Sequence, residues 1–315
     1  MSLDKQNVHV CVGILKREQQ IFIAQRQSKS DFSGFWEFPG GKLEIGETPL
    51  QCLRREMSEE VGIDVKSVTP LIQIKHQYTH KKVLLDVYTI NDFIGDPIGA
   101  EGQHVRWVEQ DELHQYQFPD ANISIISACQ LPSLYRITPN LSTVTEFREL
   151  LKKSALQSGD WIQLRCPELP FKDFVALASE ILPICRDHQH KLLLNSELKI
   201  LDYLEVDGLH LSQSNLHKVH GSLKEQSLYT WIGASCHDLQ EVRFAEQQGV
   251  DFITISPVSI TTSHPETIPL GWQSFSELVK ETHLPVFALG GVSPKEVYVA
   301  KECGAQGVAG ISSFW

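Results

Sequence analysis

The chain has 315 residues, 42% of them hydrophobic and 21% charged, and at about 150 residues per domain this length suggests two globular domains. So much apolar surface excludes a disordered chain. No apolar run approaches the roughly 18 residues of a membrane span, and the start MSLDKQNVHVCVGIL lacks a secretory pattern, so a cytoplasmic protein is expected. The net charge of −11 disfavours a nucleic-acid partner, although a divalent cation can bridge acidic side chains to a phosphorylated small molecule.

In chain order, Val8–Leu15 and Ile21–Ala24 read as a hairpin across the charged Lys16–Gln20 stretch. Thr48, Pro49 and Gln51 supply an N-cap, a proline at the first helical position and a capping-box partner, and Gly62 supplies a stop; the spacing predicts a helix from Pro49 to Val61. Strand-forming Lys82–Ile90 and Trp107–Val108 follow, then a helix near Ala121–Cys129. Pro132 breaks this pattern, which gives domains of 1–130 and 131–315. Beyond it eight apolar runs alternate with helical stretches such as Phe171–Arg186 and Asp238–Gln248. The runs are Leu134–Thr138, Trp161–Arg165, Lys191–Leu194, Gly208–Leu211, Trp231–Ser235, Phe252–Ser256, Pro285–Leu289 and Gly307–Ile311. Continuous apolar runs imply buried parallel strands, and eight of them close most simply into a (β/α)8 barrel; a doubly wound open sheet is the alternative. The seven cysteines are scattered without a CxxC pair, which points to reduced packing residues, and His188 and His190 read as a polar helix end.

Chemistry concentrates between Gly41 and Ile63. On the predicted helix Leu50, Leu53, Met57 and Val61 form the buried stripe, while Glu56, Glu59 and Glu60 share another flank. Three carboxylates so close repel one another unless a cation neutralises them, and hard oxygen donors suit Mg²⁺ or Mn²⁺; a solvated acidic face is the simpler alternative. Glycine at positions 40 and 41 lets backbone approach closely. The whole segment resembles the Nudix box: Gly41, five residues, Glu47, seven residues, then Arg55-Glu56-Met57-Ser58-Glu59-Glu60-Val61-Gly62-Ile63. The likeness extends over about residues 5–130. Trp36-Glu37-Phe38-Pro39-Gly40-Gly41-Lys42 is similar to the approach to the box in MutT-type nucleotide hydrolases, and Phe22–Arg26 to their second strand.

The resemblance implies an α/β/α sandwich with a mixed sheet that hydrolyses a nucleoside triphosphate to its monophosphate and pyrophosphate. It implies metal contacts from Gly40, Glu56, Glu59, Glu60 and Glu101, with Arg55 orienting carboxylates by a forked hydrogen bond. Glu56 is the first candidate for general base and Glu47 the second. Substrate contacts are implied for Arg26, Glu37, Phe38, Pro39 and Gly40. Asn122, within Phe118-Pro119-Asp120-Ala121-Asn122, matches the residue that reads oxidised guanine in 8-oxo-dGTP hydrolases; its other expected role is N-cap of the last helix. Asp31 departs, standing where those hydrolases carry a histidine.

The second half resembles thiamine phosphate synthase and the related thiazole tautomerase, through Leu134–Thr138, Ile162–Arg165, Leu194-Asn195, Gly208–Gln213, Ile232–His237, Ile255–Val258 and Ala288–Val292. Ser196 and Asn215 replace two aspartates that serve Mg²⁺ in the synthase, Cys166-Pro167 replaces a lysine, and His264 a basic residue of the phosphate loop; Glu197 is a weak substitute carboxylate. A phosphorylated ligand would be met by Asn195, His237, Gly290, Gly291 and Ser312, though the glycines also suit tight turns and His237 a strand end. Little sequence follows the eighth strand, so the barrel is expected to lack its last helix, with the gap covered by the first domain or by a second copy in a homodimer.

The leading expectation is therefore an 8-oxo-dGTP hydrolase joined to a barrel degenerate as a synthase. One rival is hydrolysis of a thiamine-related pyrophosphate, which the fusion favours; another makes the barrel a non-catalytic binding or scaffolding module.

Overall fold

Alternating apolar residues along the first twenty-five positions form β1 (Gln6–Arg17) and β2 (Gln20–Gln25), an antiparallel pair turned at Glu18, whose φ is +56°. They belong to a computed structural model that describes residues 6–27, 32–77, 81–154, 156–221, 223, 230–261 and 266–315. The sheet is completed by β3 (Trp36–Glu37), β4 (Gly40–Lys42), β5 (Asp64–Gln77), β6 (Lys81–Ile94) and β7 (Val105–Glu109), in the order β3-β2-β1-β6-β5, with β4 on β1 and β7 on β2. β1 runs parallel to β6 while the other pairs are antiparallel, so the sheet is mixed.

Period-two alternation sends one set of side chains to each face. Cys11, Leu15, Phe22 and Ile90 pack on Leu53, Met57 and Val61 below α1 (Pro49–Glu56). Val12, Ile14, Ile21, Ile23 and Leu85 pack on Ile125 and Ala128 of α2 (Ile123–Gln130). A helix on each face makes the α/β/α sandwich. β3, β4 and β5 carry no signal in the sequence reading: the first two are very short, and β5 is interrupted by register shifts and by Pro70.

One helix departs from expectation. The stretch predicted as a single α-helix to Val61 is α-helical only to Glu56 and then widens into a π turn, Met57–Val61, closed by Gly62 in the left-handed region at φ +74°. Such a widened turn is a frequent device at functional sites because it re-aims side chains.

The chain divides into two units, Met1–Leu131 and Pro132–Trp315. In the second, the eight apolar runs form β8 (Leu134–Ile137), β9 (Trp161–Leu164), β10 (Lys191–Leu194), β11 (Gly208–Leu211), β12 (Trp231–Cys236), β13 (Phe252–Ile255), β14 (Val286–Leu289) and β15 (Gly307–Gly310). All pair in parallel and β15 closes on β8, which rules out the open sheet. Around them lie α3 (Val144–Lys153), α4 (Phe171–Asp187), α5 (Gln213–Leu216), α6 (Leu239–Gln248), α7 (Gly271–Val279) and α8 (Val297–Glu302).

Outward residues such as Ile162, Leu192, Leu209, Ile232 and Ile253 join Phe174, Ile181 and Phe275 of the helices in one core. Inward, Tyr135, Phe252 and Phe287 meet at ring separations of 5.5–5.7 Å, and Trp161 lies 5.1 Å from Trp231. Aromatic rings thus fill the barrel, which is a packed core and not a pore. Cover for β15 comes from within the barrel unit: Phe314 is buried, its ring edge filling the space a Cβ on Gly310 would need. Arg136 donates to the Phe314 carbonyl, and the Trp315 indole donates to the Ile137 carbonyl at 2.7 Å. Among the described residues no helix is long and apolar enough to cross a membrane.

Candidate active site

In the first domain the site begins with two glycines. β4 pairs with β1 so that Gly40 faces Val12 and Gly41 faces Cys11. Gly40 has φ +153°, and a Cβ there would lie 2.2 Å from the Cys11 carbonyl oxygen; at Gly41 it would lie 2.1 Å from the Glu56 carboxylate. Only a residue without a side chain lets the strand pass this close to Glu56. α1 starts at the Thr48 cap, whose box with Gln51 is complete, and its buried Leu53 and Cys52 anchor the helix against the sheet. Glu56 is thereby held at 12% side-chain exposure, while Glu59, at 57%, faces solvent.

Arg55 is the hub. Its Nε and Nη2 fork onto Glu47 at 2.8 and 3.0 Å, and Nη1 reaches Glu56 at 2.7 Å and Glu59 at 3.2 Å. Nη2 also donates to the Lys42 carbonyl at 3.1 Å, tying the helix to the glycine strand. The guanidinium bond and the Glu44 amide pull the Glu47 carboxyl down to about 2. Its carboxylate partners raise Arg55 further above its already high range. The sequence-based expectation gave Arg55 the orienting of the carboxylates and left the relief of their repulsion to a cation. The fold assigns much of that task to Arg55, and among the described residues no three His, Cys, Asp or Glu side chains converge as a ready cage.

Glu60 stands apart from this hub. The π turn leaves it half-buried, accepting from the Gly40 amide at 3.0 Å. Burial pushes its carboxyl up to about 7 in spite of that amide, helped by the neighbouring charges of Glu56, Glu37 and Glu101. Glu101 belongs to this group because its loop is tied to the turn: Gln103 Nε2 and the Ala100 amide both donate to the Glu60 carbonyl. Glu60, half-buried on the Gly40 amide and within the field of the Glu56 and Glu101 charges, offers hard oxygen of the kind Mg²⁺ or Mn²⁺ takes, although these carboxylates do not close into a cage by themselves.

Beside it, Arg26 Nη1 pairs with Glu37 at 2.6 Å, while the buried Arg26 Nε has no hydrogen-bond partner. Burial raises the Glu37 carboxyl, and Arg26 opposes that shift. Phe38 stacks on Phe118 at 5.2 Å, and the Pro39 carbonyl accepts from the Gly13 amide. Asn122 heads α2, yet its side chain makes no cap bond, so the capping role weighed for it is not realised. Asp31 lies outside the described residues.

In the barrel the expected ligand residues are more dispersed. Asn195 donates through Nδ2 to the His210 carbonyl at 3.0 Å. His237 is half-exposed and pairs with Glu241 at 2.8 Å, the local i,i+4 contact of a helix start. Gly290 and Gly291 have φ +91° and +66°, and a Cβ on them would meet Pro257 at 2.8 Å and the Ile260 carbonyl at 2.3 Å, so the two loops pack closely at both glycines. Ser312 is exposed, and Glu197 is paired with Lys199 at 2.6 Å. His264 lies outside the described residues.

A different set of polar residues stands out in the barrel strands. Gln163, His210, Ser235 and Thr254 come from four strands, and register places Ser235 beside Thr254. His210 Nε2 meets Ser235 Oγ at 3.0 Å, and burial presses its imidazole down to about 3, so it is neutral. Gln163 Oε1, Thr254 Oγ1 and Gln213 Oε1 are buried without a hydrogen-bond partner. The signal that could have found them is a polar residue inside otherwise apolar strands: Gln163 in WIQL, His210 in GLHL and Thr254 in FITI.

Comparison with known proteins separates the halves. The family model of the NUDIX domain matches residues 10–128, and that of thiamine monophosphate synthase matches residues 134–314. An 8-oxo-dGTP diphosphatase of Haemophilus influenzae is 42% identical over 125 residues, which cover 39% of this chain and 92% of that protein. The Escherichia coli 8-oxo-dGTP diphosphatase is 33% identical over 123 residues, 39% of this chain and 95% of that protein. A putative thiamine-phosphate synthase 2 of Aquifex aeolicus is 34% identical over 185 residues, 59% of this chain and 98% of that protein.

The first domain is a Nudix hydrolase, and the second belongs to the thiamine monophosphate synthase family.

Within the synthase-family barrel the carboxylate positions differ in kind from those of the Nudix domain. Ser196 is buried, Asn215 accepts from Lys218 at 3.2 Å, and Cys166 is buried where a lysine was expected. These groups supply no anionic oxygen, so the residues at these positions do not fit Mg²⁺ and no step is routed through it there.

Proposed function

We propose that the Nudix domain hydrolyses 8-oxo-dGTP to 8-oxo-dGMP and pyrophosphate in a Mg²⁺- or Mn²⁺-dependent reaction. The observation that carries the substrate assignment is Asn122, which heads α2 without capping it. An uncommitted amide both donates and accepts, which suits the keto and N–H edge of an oxidised purine. The stacked Phe38 and Phe118 supply an apolar wall, and the unpartnered Arg26 Nε a donor for the substrate. The relatives named as 8-oxo-dGTP diphosphatases support the same assignment.

Glu56, Glu59, Glu60, Glu101 and the Gly40 carbonyl would hold the cation, which when bound acidifies water and neutralises phosphate charge. Arg55 holds Glu47 and Glu56 in fixed orientations through its fork. Glu47, held near 2 by that fork, is a weak proton acceptor, which favours Glu56 as the base that takes the proton of the attacking water. Glu37 positions Arg26 from the neighbouring strand.

The test is a hydrolysis panel of 8-oxo-dGTP, dGTP, thiamine diphosphate and a pyrimidine pyrophosphate with the intact chain. Preference for 8-oxo-dGTP supports the assignment, and preference for either of the last two would replace it with the thiamine-related alternative.

For the barrel we infer ligand binding without synthase chemistry. The partnerless buried Gln163 and Thr254 atoms favour a hydrogen-bonding ligand, and the lack of carboxylates at 196 and 215 disfavours metal-dependent coupling. A coupling assay on the intact chain that yields thiamine phosphate would overturn this.

A further inference from the structure

A cavity of about 460 Å³ lies at the end of the first-domain sheet farthest along β5, where His9, Lys75, His76 and Lys82 surround Val8, Val83 and Leu84. This is the size of a small-molecule site. Its charge runs against that of the protein. The chain has 39 acidic and 28 basic residues, yet between Asp64 and Asp86 the sequence carries Lys66, Lys75, His76, His80, Lys81 and Lys82 and no acid. Lysine on β5, an edge strand, is commonly explained as protection against strand pairing. That explanation does not reach His9, which sits on β1 in the interior of the sheet. His9 donates through Nε2 to Asp86 at 2.5 Å, and Asp86 accepts in turn from Gln73 at 2.6 Å, so the ring facing the cavity is held in one orientation by a mostly buried carboxylate. Asp86, the acid next to this cavity among the described residues, is thus engaged with its own partners.

We propose that this cavity is a second ligand site, separate from the Nudix centre, for a small phosphate ester with an apolar ring. Lys75 and Lys82 meet the phosphate by charge-assisted hydrogen bonds, His9 fixes its position, and Val8, Val83 and Leu84 cover the ring.

The probe is phenyl phosphate, with inorganic phosphate as the arm lacking the ring, titrated into the full chain in the presence of a chelator. Imidazole signals are followed by histidine-selective labelling, with His9 and His76 assigned through single His→Gln variants. Phenyl phosphate is expected to shift both signals and to bind about tenfold more tightly than inorganic phosphate, in line with burial of an apolar ring. The double variant Lys75→Ala/Lys82→Ala, whose lysines are exposed, is expected to fold normally and to bind about tenfold more weakly. Equal affinity for the two probes would remove the ring from the proposal. Absence of shifts at millimolar probe, or unchanged shifts in the double variant, would remove the site.

Discussion

The two domains use polar groups in opposite ways. The Nudix centre gathers formal charge: Glu47, Glu56 and Glu59 around Arg55, with Glu60 half-buried behind them. The barrel gathers neutral groups and leaves several unpartnered, with His210 held uncharged by burial. Charge at the first site suits a highly charged phosphate chain and cations, whereas neutral donors and acceptors at the second suit recognition by shape and hydrogen bonds.

The largest expected effect falls on the charged side. Glu60→Gln is expected to lower 8-oxo-dGTP turnover by about 10³-fold while the melting temperature is kept, because Gln imitates a carboxyl whose neutral form is favoured by burial. Pyrophosphate release and thermal denaturation on the same sample check it; full activity would mean that the charge gathered here is only structural. Next, Arg55→Lys is expected to cost about 10²-fold in kcat, since a lysine cannot reproduce the fork on Glu47. A variant as active as the parent would show that the hub orients nothing.

Asn122→Ala sharpens the substrate side of the contrast. It is expected to reduce the preference for 8-oxo-dGTP over dGTP by about tenfold and to leave stability unchanged, because no cap bond is lost. A loss of about 1 kcal/mol in unfolding free energy would instead reveal a capping role.

The smallest effect probes the neutral side. The His210 pKa is lowered from 6.5 to about 3 on folding, so the unfolded chain binds the proton more readily. Its contribution to stability is complete above the unfolded value and is lost as pH falls from there towards 3, by about 1 kcal/mol per pH unit. Denaturant titrations between pH 7 and 5 should show a stability slope steeper in the parent than in His210→Gln by this amount. Identical slopes would mean that the imidazole is not buried neutral.

How much was legible depended on how local the information was. The Nudix centre lies within one loop, one helix and its cap, so Thr48, Arg55, Glu56, Glu59 and Glu60 could be picked out by spacing alone. The widening at Met57–Val61 could not, because a π turn keeps the same residues and changes only which carbonyl each amide meets. The eight barrel strands were equally legible, since each is a short apolar run flanked by turns. The polar set inside the barrel was not: Gln163, His210, Ser235 and Thr254 are each one residue in a separate strand. His237 and the 290–291 glycines drew attention by likeness alone; in the fold His237 pairs with Glu241 and the glycines lie where two loops pack closely.

Sequence alone determined the two domain types, the helix carrying the acids and its cap, because hydrophobic period, capping and motif spacing act over a few residues. Tertiary structure decided that Arg55 reaches Glu47 across eight positions, that Glu60 turns towards Gly40, and that polar atoms of four strands share one interior. Those outcomes depend on sheet register and barrel closure, which bring together atoms that no local rule relates.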